Sequence, residues 1–230
     1  MEFDSKNKLL VKFISMIKKK DHWEKVFKTK TPQEVSWTEA YPKNSIDFIN
    51  QLNLDTRLPV IDIGGGDSLL VDNLLEMGFK DISVLDISKK ALQRTKKRLG
   101  ERSKKISWIV SDILDFKPKK KYNLWHDRAS FHFLTNSKDI DCYKEIVNQW
   151  ASKYMIFGTF SKEGPLKCSG LPITQYSCES IAKRFQKHFD PLECKYSIHQ
   201  TPFETQQHFI FSSFKKRIRA FEFVPRWRSE

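Results

Sequence analysis

The sequence predicts an α/β protein: a seven-stranded, mostly parallel sheet with an antiparallel edge strand and helices on both faces. Three observations predict it. A short β-branched run, Val60–Ile63, leads through Gly64-Gly65-Gly66 into a segment whose apolar residues Leu70, Val71, Leu74 and Leu75 recur at helical spacing. The same alternation of apolar strand and amphipathic helix repeats at Ile82–Asp86 and at Ile106–Val110. Each of these strands carries an acid at or just after its C-terminal end (Asp62, Asp86 and Asp112), the edge at which open α/β sheets bind ligands.

In chain order, residues 1–20 form an N-terminal helical extension, with Leu9, Leu10, Phe13, Ile14 and Ile17 as its apolar stripe. The main domain is expected over 21–214. It opens with Trp23 and Phe27 at i and i+4 on one helical face, and Trp37 follows Pro32 in a polar loop. A helix through Ser45, Phe48, Ile49 and Leu52 leads to the first strand. Asp67 or Ser68 is expected to cap the helix that ends at Met77-Gly78, and Ser88 the next one. Tyr122–His126 is the fourth strand, Asp139–Trp150 a helix and Tyr154–Phe160 the fifth strand. Residues 161–177 form a long loop over the ligand edge, with Cys168 and Tyr176 as candidate substrate contacts. A helix over Glu179–Phe189 and two strands, Ser197–Thr201 and His208–Phe214, complete the domain, and residues 215–230 form a basic tail.

The glycine loop invites a nucleotide, but two features disfavour a dinucleotide. The pyrophosphate fingerprint requires a third glycine where Leu69 stands, and carboxylates at Asp62 and Asp67 repel phosphate. S-adenosylmethionine carries a cationic sulfonium and a cationic ammonium, so acids beside the turn favour it. Asp86, twenty residues past the glycines, is placed to accept hydrogen bonds from both ribose hydroxyls. Asp112 and Ile113 suit an adenine, one accepting from the exocyclic amine and the other covering the ring. The fourth strand delivers His126, Asp127 and Arg128 to the same edge, with His132 just beyond, so four ionisable groups lie within seven residues. Asp127 and Arg128 can also pair with each other. For a nitrogen nucleophile that must lose a proton, His126 and His132 are the candidate catalytic bases.

These residues resemble the class I S-adenosylmethionine-dependent methyltransferases, which have a Rossmann-like fold. Asp62-Ile63-Gly64-Gly65-Gly66-Asp67-Ser68 is similar to their first motif, with Ser68 in place of its usual last glycine. The segment Trp125-His126-Asp127-Arg128-Ala129 resembles the Trp-Asp-Arg segment of thiopurine S-methyltransferases, whose arginine lies near the cofactor. His22-Trp23-Glu24 and Val35-Ser36-Trp37 resemble the cofactor lid of that group and of small protein-lysine methyltransferases, including those acting on elongation factor 1A and citrate synthase. The resemblance implies S-adenosyl-L-methionine as cofactor, bound by Trp23, Trp37, Asp62, Gly64, Gly65, Gly66, Asp86, Ile87, Asp112, Ile113, Asp127 and Arg128. It also implies methyl transfer by in-line displacement.

Composition bounds the remaining choices. Four cysteines without Cys-x-x-Cys spacing read as reduced thiols, neither a zinc site nor a disulfide frame, and indicate a cytoplasmic enzyme without a metal. No apolar run reaches the length of a membrane span. The net charge is +13, and residues 89–121 hold thirteen Lys or Arg against three acids, a pattern suited to RNA or acidic proteins and equally to a solvated helix face. A protein lysine is the favoured methyl acceptor. A small-molecule thiol or carboxylate is the alternative, and RNA is favoured by charge alone. A degenerate cofactor-binding module without activity and an NAD-dependent oxidoreductase are the rival classes, disfavoured respectively by the three intact acids and by Leu69 with Asp62.

Overall fold

The computed structural model describes residues 2–217, and their side chains from residue 16 onward. The chain opens with helix α1 (Glu2–Thr29), followed by a single turn at Pro32–Glu34 and helix α2 (Lys43–Gln51). Strand β1 (Val60–Ile63), helix α3 (Leu70–Glu76), strand β2 (Ile82–Asp86), helix α4 (Lys89–Leu99) and strand β3 (Ile106–Val110) then alternate. Strand β4 (Tyr122–Arg128), helix α5 (Ser137–Trp150) and strand β5 (Ala151–Phe160) continue the pattern. A small ribbon, β6 (Lys167–Cys168) with β7 (Leu171–Pro172), precedes helix α6 (Cys178–Phe185) and the long strands β8 (Phe189–Gln200) and β9 (Gln206–Lys216).

Seven strands form one sheet in the order β3-β2-β1-β4-β5-β9-β8. Strands β1 to β5 are mutually parallel, and β9 runs antiparallel to β5. The antiparallel strand therefore lies one place in from the edge, with β8 outside it. Strands β1 and β2 are buried throughout, as parallel strands covered on both faces must be. The order reverses between β1 and β4, which opens a crevice at their C-terminal ends.

Two cores fill the faces. One gathers Trp125, Phe131, Tyr143, Phe157 and Phe185 under α5 and α6. The other gathers Phe48, Leu74, Leu92, Phe160 and Phe211 under α2, α3 and α4.

Several sequence expectations change. The boundary at residue 20 falls inside α1, which runs unbroken to Thr29. The apolar stripe of residues 9–14 and the tail beyond residue 217 lie outside the described side chains and residues. Phe189 begins β8 rather than ending a helix, because α6 stops at Phe185 and a turn follows in which the His188 amide donates to the Phe185 carbonyl. The cysteines are not all thiols: Cys178 and Cys194 form a disulfide. Sixteen residues separate the pair in sequence, but α6 starts where β8 passes, bringing their Cα atoms to 5.8 Å. Among the described residues no helix is long and apolar enough to cross a membrane.

Candidate active site

A cavity of about 450 Å³ opens at the crevice, within the size range of small-molecule sites. Its floor is the glycine turn. Gly64 adopts a left-handed φ of +69°, and a Cβ on Gly65 would stand 2.2 Å from Asp62 Oδ2. A Cβ on Gly66 would stand 2.4 Å from Asp86 Oδ2 and 2.5 Å from the Ala91 methyl. The chain is glycine there because it passes directly over two carboxylates.

Asp62 sits at the bottom, 2 % exposed. Its Oδ1 faces His126 Nδ1 at 2.7 Å, and His126 Nε2 faces Ser45 Oγ at 2.9 Å. With a carboxylate at Nδ1, the neutral ring keeps its proton there and accepts from the Ser45 hydroxyl at Nε2. Asp62 Oδ2 is buried and has no hydrogen-bond partner among the described residues. A buried carboxylate oxygen left so is costly unless a cation meets it, and the ammonium of S-adenosylmethionine fits that requirement.

Asp86 accepts from the Gly66 amide at 3.0 Å and the Ser88 amide at 2.7 Å. Burial pushes its carboxyl up to about 7 despite these bonds, and the charges of Asp62 and Glu24 push the same way. Two amide donors leave lone pairs on both oxygens for further donors such as ribose hydroxyls. Asp112 accepts from the Leu114 amide at 2.9 Å, and Ile87, Asp112 and Ile113 line the cavity beside Asp86.

Asp67 pairs with Arg94 at 3.2 Å and Arg98 at 3.3 Å. Neither Asp67 nor Ser68 caps the helix as expected: the N-cap of α3 is Leu69, without a side-chain cap, and Ser68, one residue earlier, accepts from the Leu70 amide at 3.0 Å.

The roof is aromatic. Trp23 lies 5.7 Å from Trp37 and 5.3 Å from Phe133, centroid to centroid, and Phe27 completes the group; all four line the cavity. Arg128 holds this roof in place. Its guanidinium donates to the Trp37 carbonyl at 3.1 Å and pairs with Glu39 at 3.2 Å. His199, on β8, reaches the Ser36 carbonyl at 2.7 Å and Glu39 at 3.4 Å. Burial would raise the Glu39 carboxyl, but the bond to His199 and the charges of Arg128 and His199 prevail and hold it below its ordinary value.

Three expected site residues stand elsewhere. Asp127 does not line the cavity and does not pair with Arg128. It is fully buried, accepts from the Ser130 and Phe131 amides at 3.1 and 2.9 Å, and takes the Tyr143 hydroxyl at 2.6 Å. Burial pushes it up to about 6. Its place in the strand sets this: side chains alternate, so Asp127 points away from the face shared by His126 and Asp62. His132 is also fully buried and does not line the cavity. It stacks on Phe160 at 4.8 Å, and burial, with the Arg128 charge, pulls its imidazolium down to about 3. Tyr176 stacks on Phe131 at 5.3 Å in the core, whereas Cys168 does line the cavity, its thiol pushed up to about 12 by burial. Sequence reasoning missed Ser45, Glu39 and His199, because only the fold brings them beside His126 and Arg128.

Comparison with known proteins agrees with this cavity. The family described as Ribosomal RNA adenine dimethylase matches residues 42–163, just over half of the chain. Malonyl-[acyl-carrier protein] O-methyltransferase 2 of Ilyobacter polytropus is 27 % identical over 105 residues, 45 % of this chain and 40 % of that one. The eEF1A lysine and N-terminal methyltransferase of Bos taurus is 27 % identical over 95 residues, 40 % of this chain and 13 % of that one. This chain thus spans less than half the length of either relative. Among solved structures, a SAM-dependent methyltransferase from Anabaena variabilis superposes with a TM-score of 0.66 at 17 % identity, covering 86 % of this chain and 95 % of that one. The N-methyltransferase NodS from Bradyrhizobium japonicum, in complex with S-adenosyl-L-homocysteine, gives 0.59 at 15 % identity, covering 78 % and 90 %. With the family matched over residues 42–163, the stretch that holds the acids gathered round this cavity, the chain belongs to the ribosomal RNA adenine dimethylase family.

Proposed function

We propose that the chain is an S-adenosylmethionine-dependent methyltransferase whose methyl acceptor is an amine, specifically a lysine of another protein. The observation that supports this is the state of the cations around the cavity. Among the described residues every lining Lys or Arg is already matched by an acid: Lys19 by Asp139 at 3.9 Å, Arg98 by Asp72 at 2.7 Å and Arg128 by Glu39 at 3.2 Å. A carboxylate acceptor entering a buried site needs an uncompensated cation to meet it. An amine does not, and the faces of Trp23, Trp37 and Phe133 attract its ammonium form as it arrives. The similarity to a lysine methyltransferase points the same way.

The transfer is a displacement in line with the sulfonium leaving group, so alignment and exclusion of water are the protein's tasks, and the aromatic roof serves both. The acceptor nitrogen must first be neutral. We assign the base to His126, which lines the cavity with Asp62 orienting its ring, rather than to the enclosed and weakly basic His132. Rotation of the Ser45 hydroxyl frees Nε2 for the proton.

The test is transfer of labelled methyl groups by the purified chain into a cell lysate. Label in a protein band that yields methyl-lysine on hydrolysis is the expected result. Label confined to the small-molecule fraction, or a carboxyl ester in place of methyl-lysine, overturns the proposal.

A further inference from the structure

We propose that Glu24 is a positioning residue that ties α1 to the turn carrying Asp86, and thereby sets how tightly the cofactor is held. The proposal does not depend on the identity of the acceptor. The first three amides of a helix have no partner within it. In α4 each of these is accounted for: Ala91 donates to its own N-cap Ser88 at 3.2 Å, while Lys89 and Lys90 donate to Glu24 of α1 at 2.7 and 3.3 Å. A carboxylate at that end is also favoured by the helix dipole. One side chain, 65 residues away in sequence, therefore completes the N-terminus of α4.

Position gives this contact its consequence. Asp86, Ile87 and Ser88 are the residues directly before α4, and Asp86 and Ile87 line the cavity. Trp23, the neighbour of Glu24, lies in the roof. The end of α1 and the residue after it are fastened to α4 as well: the Arg94 guanidinium lies 5.8 Å from the centre of the Phe27 ring and donates to the Lys30 carbonyl. Glu24 is the acidic member of this seam. If α1 lifts, the Lys89 and Lys90 amides lose their acceptor, so roof closure and the order of the ribose-binding turn are coupled.

The charge of Glu24 is also felt at Asp86, whose carboxyl it helps to raise. The charged groups around Asp86 are Asp62 from β1, Glu24 from α1, Asp112 beyond β3, and Lys89, Lys90 and Arg94 on α4. Removing the Glu24 charge lowers the Asp86 value toward that of an ordinary carboxyl. The pH below which cofactor affinity falls should then move in the acid direction.

The experiment is calorimetry of the full chain with S-adenosylmethionine and with S-adenosylhomocysteine across pH, for wild type, Glu24→Gln and the control Asp21→Asn, which alters an exposed charge on the same helix. Glu24→Gln should weaken both ligands about tenfold, the scale of losing charge-assisted hydrogen bonds. It should also shift the affinity profile toward acid, whereas Asp21→Asn should do none of these. Unchanged affinity in Glu24→Gln overturns the proposal, and so does an equal loss in Asp21→Asn. A loss of affinity without the acid shift reduces Glu24 to a structural cap and likewise overturns it.

Discussion

At the floor of the cavity, Asp62, Asp86 and Asp112 each lie within a few residues of the turn they serve, at the ends of β1, β2 and β3. The roof is assembled from distant parts of the chain. Trp23 comes from α1, Trp37 and Glu39 from the loop before α2, Arg128 from β4, Phe133 from the turn after it and His199 from β8. The bond from His199 to the Ser36 carbonyl joins residues 163 apart. Local geometry builds the floor, since a strand end, a glycine turn and a helix cap suffice. The roof exists only once the domain has closed. Disturbing long-range connections should therefore cost folding or closure, and disturbing the floor should cost cofactor binding first.

The largest effect should come from the most distal connection, the Cys178–Cys194 disulfide between α6 and β8. A bridge closing a loop of this length contributes about 3 kcal/mol, mainly by restricting the unfolded chain. Reductant, or Cys178→Ser with Cys194→Ser, should lower the unfolding free energy extrapolated from denaturant titration by that amount while cofactor affinity stays the same. Equal stability with and without reductant would show that this end of the molecule does not depend on the bridge.

The floor gives the next largest effect. Asp86→Ala should weaken S-adenosylmethionine by about 1–3 kcal/mol, the cost of leaving polar partners unsatisfied. The pH profile sharpens the comparison. Asp86 titrates near 7 because burial disfavours its charge, while hydroxyl donors from a ligand favour the carboxylate form. Binding must then release the proton at lower pH, so affinity should rise with pH and level off above about 7. In Asp86→Asn that rise should disappear; a rise of unchanged size in calorimetry would assign it to another group.

The contrast between floor and roof also decides what could be read from the sequence. Strands β1, β2 and β3 begin and end where the pattern of apolar runs, glycines and capping residues puts them, and Ser88 caps α4 as expected. Everything in that reading is encoded within a few positions. Asp127 failed because a run of ionisable residues on a strand looks like one cluster, while alternation sends neighbours to opposite faces. His132 failed because Phe160 and Phe133 enclose it, and nothing nearby in sequence announces those rings. The disulfide was hidden for the same reason: sixteen residues of separation say nothing about two elements lying side by side.

The smallest effect should come from within the roof, at Glu39. Its carboxylate is shared between Arg128 at 3.2 Å and His199 at 3.4 Å, and both of these also hold backbone carbonyls of the loop that carries Trp37. Glu39→Gln keeps the shape and removes the charge that joins them. Arg128 retains its bond to Trp37 and His199 its bond to Ser36, so the roof loosens without losing any contact outright, and the cost should be about 1 kcal/mol. Because the roof aligns the acceptor and keeps water out, this cost should fall on kcat more than on cofactor affinity. A double-mutant cycle with His199→Gln separates the two designs. If roof residues act as one unit, the second substitution should add less than its own single effect. Strict additivity would mean that Glu39 and His199 brace the loop independently, and that the roof, like the floor, is a set of local devices.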